Sequence, residues 1–274
     1  MAEEIENVIS KMVVEANCKL PCDVYNSILK SRGEEEEFAK NSLDILLENA
    51  DYAKENDMPI CQDTGMAIFF VEVGQDVHIE GNLTDAINNG VRTGYEKGYL
   101  RKSVVKDPLL RENTNDNTPA VIHYDIVDGD EIKITFCPKG FGSENKSKIK
   151  MLNPSDGRKG IVDFVVETVK EAGASPCPPI VIGVGIGGDF ELCAKMAKQA
   201  LTLPLDYENP DKYYKELEEE ILEKVNSLNI GPQGLGGKTT ALGINIIKFP
   251  THIAGLPVAC NISCHVTRHM TEII

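Results

Sequence analysis

Ile180-Val181-Ile182-Gly183-Val184-Gly185-Ile186-Gly187-Gly188 is an apolar run that ends in glycine and passes into the helical pattern of Asp189 to Leu201. Its length and branched composition predict a buried strand, and a strand feeding a helix is a building block of α/β proteins. Gly183, Gly185 and Gly188 also satisfy G-x-G-x-x-G, the spacing of a dinucleotide-binding turn. Asp206 lies near the position where a ribose-binding acid falls in such folds. A nucleotide fold then requires a second strand ending at that acid, and Leu203-Pro204-Leu205 is too short and is broken by proline. The stretch therefore predicts one strand-helix unit of a mixed protein and argues against a nicotinamide site.

Working outward, Ile5, Val8, Ile9, Met12, Val13 and Ala16 recur at helical spacing. Glu34 to Asn56 predicts a second helix with Phe38, Leu43, Leu46, Leu47 and Ala50 on its core face, and its Glu34–Glu37 run reads as a solvated helix start. Further helices are expected over Leu83 to Gly98, over Ile161 to Ala172 with Gly173 as C-cap, and from Asn209 as N-cap with Pro210 at the first position. Ala67 to Val73, Ala241 to Phe249 and Val258 to Ile262 read as strands. Ala120 to Val127 and Glu131 to Phe136 alternate on either side of Asp128-Gly129, which predicts an antiparallel hairpin. The expected fold class is α/β of the mixed α+β kind: a helical N-terminal part, an antiparallel hairpin and strand-helix units around mixed sheets. No internal repeat or linker stands out, so residues 1–274 are expected to form one catalytic domain.

The net charge of -15 argues against nucleic acid and anionic membranes as partners, because phosphate affinity comes largely from Lys and Arg. A small anionic substrate stays compatible, provided that a local cationic pocket receives it. The acidic N-terminus and the lack of a long apolar run predict a cytoplasmic location and no membrane span. In that reducing setting the eight cysteines read as thiols, metal ligands or core residues. Cys18 and Cys22 resemble half a metal site but have no matching second pair. Gly237-Lys238-Thr239 fails the phosphate-loop spacing because Pro232 stands where glycine is required. The loop Gly231 to Gly237 instead suits close approach of a ligand or another element, with Lys238 available for an anion.

Polar chemistry is densest at Pro59-Ile60-Cys61-Gln62-Asp63-Thr64-Gly65, a turn just before a predicted strand. A thiolate there suits a soft metal, with Asp63 near enough for proton transfer; the same cysteine also reads as an inert loop thiol. Leu100-Arg101-Lys102-Ser103 is a basic turn able to hold a carboxylate. Lys139-Gly140-Phe141-Gly142-Ser143-Glu144-Asn145 either lets backbone N–H groups approach an anion or is a plain turn. Cys61, Cys177 in Pro-Cys-Pro-Pro and Cys264 in Ser-Cys-His stand apart in setting, and their wide spacing is unlike a structural zinc site. Three thiolates from three loops would suit an iron-sulfur cluster with one iron left open, although other triplets are equally available by spacing.

Taken together and in order, Ile60 to Gly65, Lys139 to Asn145, Cys177-Pro178-Pro179, His252 to Pro257 and Cys264-His265 resemble the alpha subunit of the iron-sulfur hydro-lyases, class I fumarase and L-tartrate dehydratase. The resemblance runs from the first helix to the C-terminus. It implies a 4Fe-4S cluster with Cys61, Cys177 and Cys264 as ligands and the open iron as Lewis acid toward a 2-hydroxy acid. By the same resemblance, Gln62, Arg101 and Gly142 bind substrate, Asp63 transfers a proton at the hydroxyl, and His252 hydrogen-bonds substrate or a neighbouring acid. Cys18, Cys22, Cys137, Cys193 and Cys260 fall outside the ligand positions. Phe141 interrupts what is often a run of glycines, which leaves the backbone contact open between Gly140 and Gly142. The resemblance also implies a separate beta subunit that completes the site, a higher oligomer, and reversible hydration of fumarate to L-malate. L-Tartrate dehydration and a non-catalytic metal-binding scaffold are the alternatives.

Overall fold

The computed structural model describes residues 1–274. Its helices are α1 (Ala2–Cys18), α2 (Cys22–Glu34), α3 (Glu37–Glu55), α4 (Leu83–Lys97), α5 (Phe141–Glu144), α6 (Gly157–Ala172), α7 (Phe190–Ala200) and α8 (Lys212–Asn226). Its strands are β1 (Met66–Gly74), β2 (Val121–Val127), β3 (Ile132–Lys139), β4 (Lys148–Leu152), β5 (Ile180–Gly188), β6 (Ala241–Thr251), β7 (Leu256–Ser263) and β8 (Met270–Ile273). The mixed α/β class is as the sequence predicts. The chain divides into two compact units, the first made of Met1–Pro21, Asn49–Phe141 and Arg268–Ile274, the second of Cys22–Glu48 and Gly142–Thr267.

In the first unit the sheet order is β2-β1-β3-β8, with β1 parallel to β2 and antiparallel to β3. The parallel pair needs a crossover, and α4 supplies it. Ile5, Ile9 and Val13 of α1 and Ile87, Val91 and Tyr95 of α4 bury against Phe69, Val71, Ile134 and Phe136 of the sheet. In the second unit the order is β4-β7-β5-β6, with β5 parallel to β6 and antiparallel to β7. Its core joins Val162, Val165 and Val169 of α6 and Leu217, Ile221 and Val225 of α8 to Ile182, Val184, Ile246 and Ile262.

The two sheets share one plan: a central strand flanked by a later parallel strand and by an antiparallel strand that follows it. This corrects the predicted hairpin. The strands on either side of Asp128-Gly129 are not partners, because β1 lies between them. β1 is apolar and almost wholly buried, so both of its hydrogen-bonding edges have to be covered. The connection wraps its end, with Gln75 N donating to Val127 O and Asp76 N to Gly129 O. The plan also gives an internal repeat of topology that the sequence does not display.

Gly183 and Gly185 prove to be packing positions inside β5. A Cβ would stand 2.0 Å from Ala197 O at Gly183 and 2.0 Å from Cys193 O at Gly185, so their absence of side chain lets α7 lie directly on the strand. Asp189 caps α7 by accepting from Leu192 N at 2.9 Å, which puts a carboxylate where a pyrophosphate would bind. Other expectations shift in detail. Phe38 is 66% exposed, because α3 buries Leu43, Leu47 and Ala50 on a narrower face. Asp211, not Asn209, caps α8, accepting from Tyr213 N at 3.0 Å. The glycine loop before β6 is closed by the chain itself: Lys238 N and Thr239 N donate to the Glu35 carboxylate at 2.9 and 2.5 Å. Glu35 thus fills the anion position that the sequence leaves open.

Candidate active site

In the first unit Cys61 enters β1 on a turn fixed from several sides. Tyr95 Oη donates toward Thr64 O and Gly65 O at 2.8 and 2.9 Å, and Asn117 Nδ2 donates to Gly65 O at 3.2 Å. Arg268 Nη2 donates to Asp63 O at 2.7 Å. Thr64 Oγ1 donates to Arg101 O at 3.0 Å, which ties the basic turn to the thiol turn. Asp63 is clamped by backbone: Oδ1 accepts from Gly65 N at 3.0 Å and Oδ2 from Phe141 N at 2.9 Å. A Cβ on Gly140 would stand 3.1 Å from Asp63 Oδ2, whereas one on Gly142 would meet nothing within 4 Å. The close approach therefore falls at Gly140, and Gly142 is exposed on α5. Gln62 and Arg101 are exposed and make no side-chain hydrogen bond, so an amide next in sequence to the thiol and a guanidinium on the neighbouring turn both stand open.

Asn117, Tyr95 and Arg268 are supports that sequence reasoning missed. Asn117 is fully buried, and its Oδ1 also accepts from Ser103 N at 2.7 Å. Asp116 pins this loop. Burial acts to raise its pKa, but the Thr118 N–H and hydroxyl and the Arg92 guanidinium outweigh it and pull the carboxyl down to about 2. A depressed carboxyl contributes stability above its unfolded pKa and loses it as pH falls through the folded value. Asp116 is thus expected to stabilise the first unit by about 1 kcal/mol, after allowance for its partial exposure, and to lose this between about pH 4 and pH 2. Acid unfolding of Asp116→Asn should show a shallower loss across that window than wild type; equal slopes would refute the assignment.

In the second unit Cys177 and Cys264 come side by side. Cys177 precedes β5 and Cys264 follows β7, and these strand ends are level because Val181 pairs with Ser263. His265 N donates to Cys177 O at 3.3 Å, and His265 Nδ1 lies 3.0 Å from the same oxygen. Gln233 braces the pair, its N and Nε2 donating to Pro178 O at 2.7 and 2.8 Å. Cys177 holds φ +54, a left-handed conformation costly for a cysteine and maintained by this bracing. His252 is elsewhere. It sits in the β6–β7 connection, where Nδ1 accepts from Ala254 N at 3.2 Å. Thr251 is level with Gly188, at the other end of β5 from Cys177, which places His252 on the order of 25 Å from both thiols of its unit.

The donors suit a thiolate-bound cluster by chemistry. Cys61 and Cys264 are half-buried and Cys177 is exposed, all on loops, and no cysteine is in a disulfide. Cys18, Cys137, Cys193 and Cys260 are buried in packed elements, and burial pushes the Cys260 thiol up to about 12. The Cys18 and Cys193 thiols are raised for the same reason. As they stand, no group of three or more His, Cys, Asp or Glu side chains is arranged to hold a metal ion. The fit is one of accessible soft donors on braced loops.

The first unit thus presents an exposed amide and an exposed guanidinium on the two turns that precede β1 and follow α4, and the second presents two cysteines at level strand ends. The chain belongs to the fumarate hydratase (Fumerase) family, whose sequence pattern matches residues 6–272. It is a hydro-lyase. A Methanocaldococcus jannaschii protein with the provisional name L(+)-tartrate dehydratase subunit alpha is 42% identical over 273 residues, covering 97% of this chain and 95% of the relative. Proteins named L(+)-tartrate dehydratase subunit alpha from Escherichia coli and Shigella sonnei are 29% and 28% identical, covering 98% and 99% of this chain and 90% and 91% of the relatives. No helix is long and apolar enough to cross a membrane.

Proposed function

We propose that the chain is the alpha subunit of a two-subunit iron-sulfur hydro-lyase that interconverts fumarate and L-malate. The observation that carries this reading is the Cys61 turn, where Asp63 is clamped by backbone, Gln62 is exposed, and the turn bearing the exposed Arg101 is tied on through its carbonyl. Cys61, Cys177 and Cys264 hold a 4Fe-4S cluster, which when bound supplies Lewis acidity toward the substrate hydroxyl and carboxylate. Arg101 pairs with a substrate carboxylate, and Gln62 and the Gly142 backbone orient the substrate. Asp63 keeps a lone pair on each oxygen while accepting Gly65 N and Phe141 N, so it can receive a hydroxyl proton without leaving its clamp.

With the cluster at Cys177 and Cys264, His252 of the same chain is out of reach. Its role at substrate then requires another copy of the chain, in keeping with a higher oligomer. A separate beta subunit is supported by the names of the relatives and supplies the remaining cationic groups and the carbon-acid base. L-Tartrate is the second reading, and those names favour it.

Co-expression with the beta subunit, followed by anaerobic assay of L-malate and L-tartrate dehydration, tests the reading. The complex is expected to turn over L-malate and the isolated chain to show little activity. Preference for L-tartrate establishes the second reading, substantial turnover by the isolated chain refutes the dependence on a partner, and inactivity of the complex on both refutes the reading.

A further inference from the structure

Arg268 is 3% exposed, yet it has no ion-pair partner. Its single hydrogen bond goes to the neutral carbonyl Asp63 O at 2.7 Å, and its Nε is buried with no acceptor. The nearby Asp63 carboxylate makes no ion pair with it; its oxygens accept from Gly65 N and Phe141 N instead. The Tyr95 hydroxyl is also committed, to Thr64 O and Gly65 O. A guanidinium keeps its charge in a protein interior, and an uncompensated charge there is costly. The chain thus carries a buried guanidinium against the Cys61 turn whose Nε has no acceptor and which forms no ion pair with any of the chain's own acids.

We propose that Arg268 is a positioning residue that supplies the counter-charge for an anion bound at the Cys61 turn. Two sources share this chemistry: the thiolate and sulfide face of a cluster held at Cys61, and a carboxylate of the dicarboxylate substrate. The inference rests on the hydro-lyase reading and extends it to a residue outside the expected ligand and substrate-binding sets. The bond to Asp63 O links the two functions, since the guanidinium that supplies the charge also fixes the backbone between Cys61 and Gly65.

The test uses the full chain as wild type, Arg268→Met and Arg268→Lys. Thermal midpoints are measured cluster-free, after anaerobic reconstitution with ferrous iron and sulfide, and after further addition of succinate, an unreactive dicarboxylate. A ligand that binds only the folded state raises the midpoint, so each step reports what Arg268 contributes to holding that anion. In Arg268→Met one of the two steps is expected to shrink to about half or less of its wild-type size, with partial recovery in Arg268→Lys, which keeps the charge. Loss of the reconstitution step identifies the cluster as the anion, and loss of the succinate step identifies the carboxylate. Equal steps in all three proteins overturn the proposal and leave Arg268 as a strut for Asp63 O. Should Arg268→Met not fold, the same comparison stands on Arg268→Lys, whose steps must fall below wild type. A wild type that takes up neither iron nor succinate removes the hydro-lyase reading and this proposal together, a result distinct from failure of Arg268 alone.

Discussion

Serine at Cys61, Cys177 or Cys264 is expected to lower turnover of the assembled enzyme by about 1,000-fold or more and to leave the reconstituted protein short of iron and sulfide. The magnitude follows from losing a Lewis acid that contributes several kcal/mol of transition-state stabilisation, at about 1.4 kcal/mol per factor of ten. Structure separates these positions from the remaining thiols. The three lie on loops within reach of solvent, whereas Cys193 and Cys260 are sealed in the α7 contact and in β7, with thiols that burial holds protonated. Cys22 is the informative control because it is exposed, at the first residue of α2, and lies outside the ligand set. Cys22→Ser should retain full iron content. Iron analysis and electron paramagnetic resonance after mild oxidation decide the matter: full cluster assembly in the Cys61, Cys177 and Cys264 variants would refute the ligand assignment.

Gly185→Ala is expected to destabilise the second unit by about 3 kcal/mol, among the largest effects of adding a single methyl group. The new Cβ would fall 2.0 Å from Cys193 O and 2.8 Å from Ala197 N, both backbone atoms of α7. A flexible side chain can swing aside, but here the helix has to lift off the strand, opening the contacts that bury Cys193, Met196 and Ala197. The midpoint for that unit should fall by roughly 6–12 °C. Gly142→Ala is the contrast: with nothing within 4 Å of the added atom, its midpoint should stay at the wild-type value. Scanning calorimetry of the two variants checks both, and a Gly185→Ala midpoint equal to wild type would refute the packing role. The same measurement bears on the G-x-G-x-x-G pattern, since glycines needed for a pyrophosphate would not be needed for stability.

That pattern shows where sequence reading succeeds and where it stops. The strand at Ile180, the helix after Gly188 and the amphipathic α1 and α4 were legible because burial writes a period into the sequence. Strand order was not, because Asp128-Gly129 carries the same turn chemistry whether its flanking strands pair or straddle a third. Phe38 was misplaced because helical spacing defines a stripe but not its width. At the candidate site, the Cys61-Gln62-Asp63 turn and the Arg101 turn are legible as concentrations of polar groups, while the roles proposed for them come from the family resemblance. Asn117, Tyr95 and Arg268 were invisible for a physical reason. Each acts by donating to a backbone carbonyl remote in sequence, and such a bond leaves no motif. Glu35 was hidden in the same way inside an acidic run whose other members are solvated.

The flanked central strand has a further consequence, for the route by which the chain reaches its native state. No two strands joined by a turn are bonded to each other anywhere in the molecule. Every ladder therefore closes a long loop, and the entropy of that closure is spent before any pairing repays it. β1 has to wait for β2 and β3, and β5 for β6 and β7, while the short segments Asp128–Glu131 and His252–Gly255 offer each flanking pair a nearer, wrong partner in one another. The helices, by contrast, are closed by contacts local in sequence and carry no such loop-closure cost.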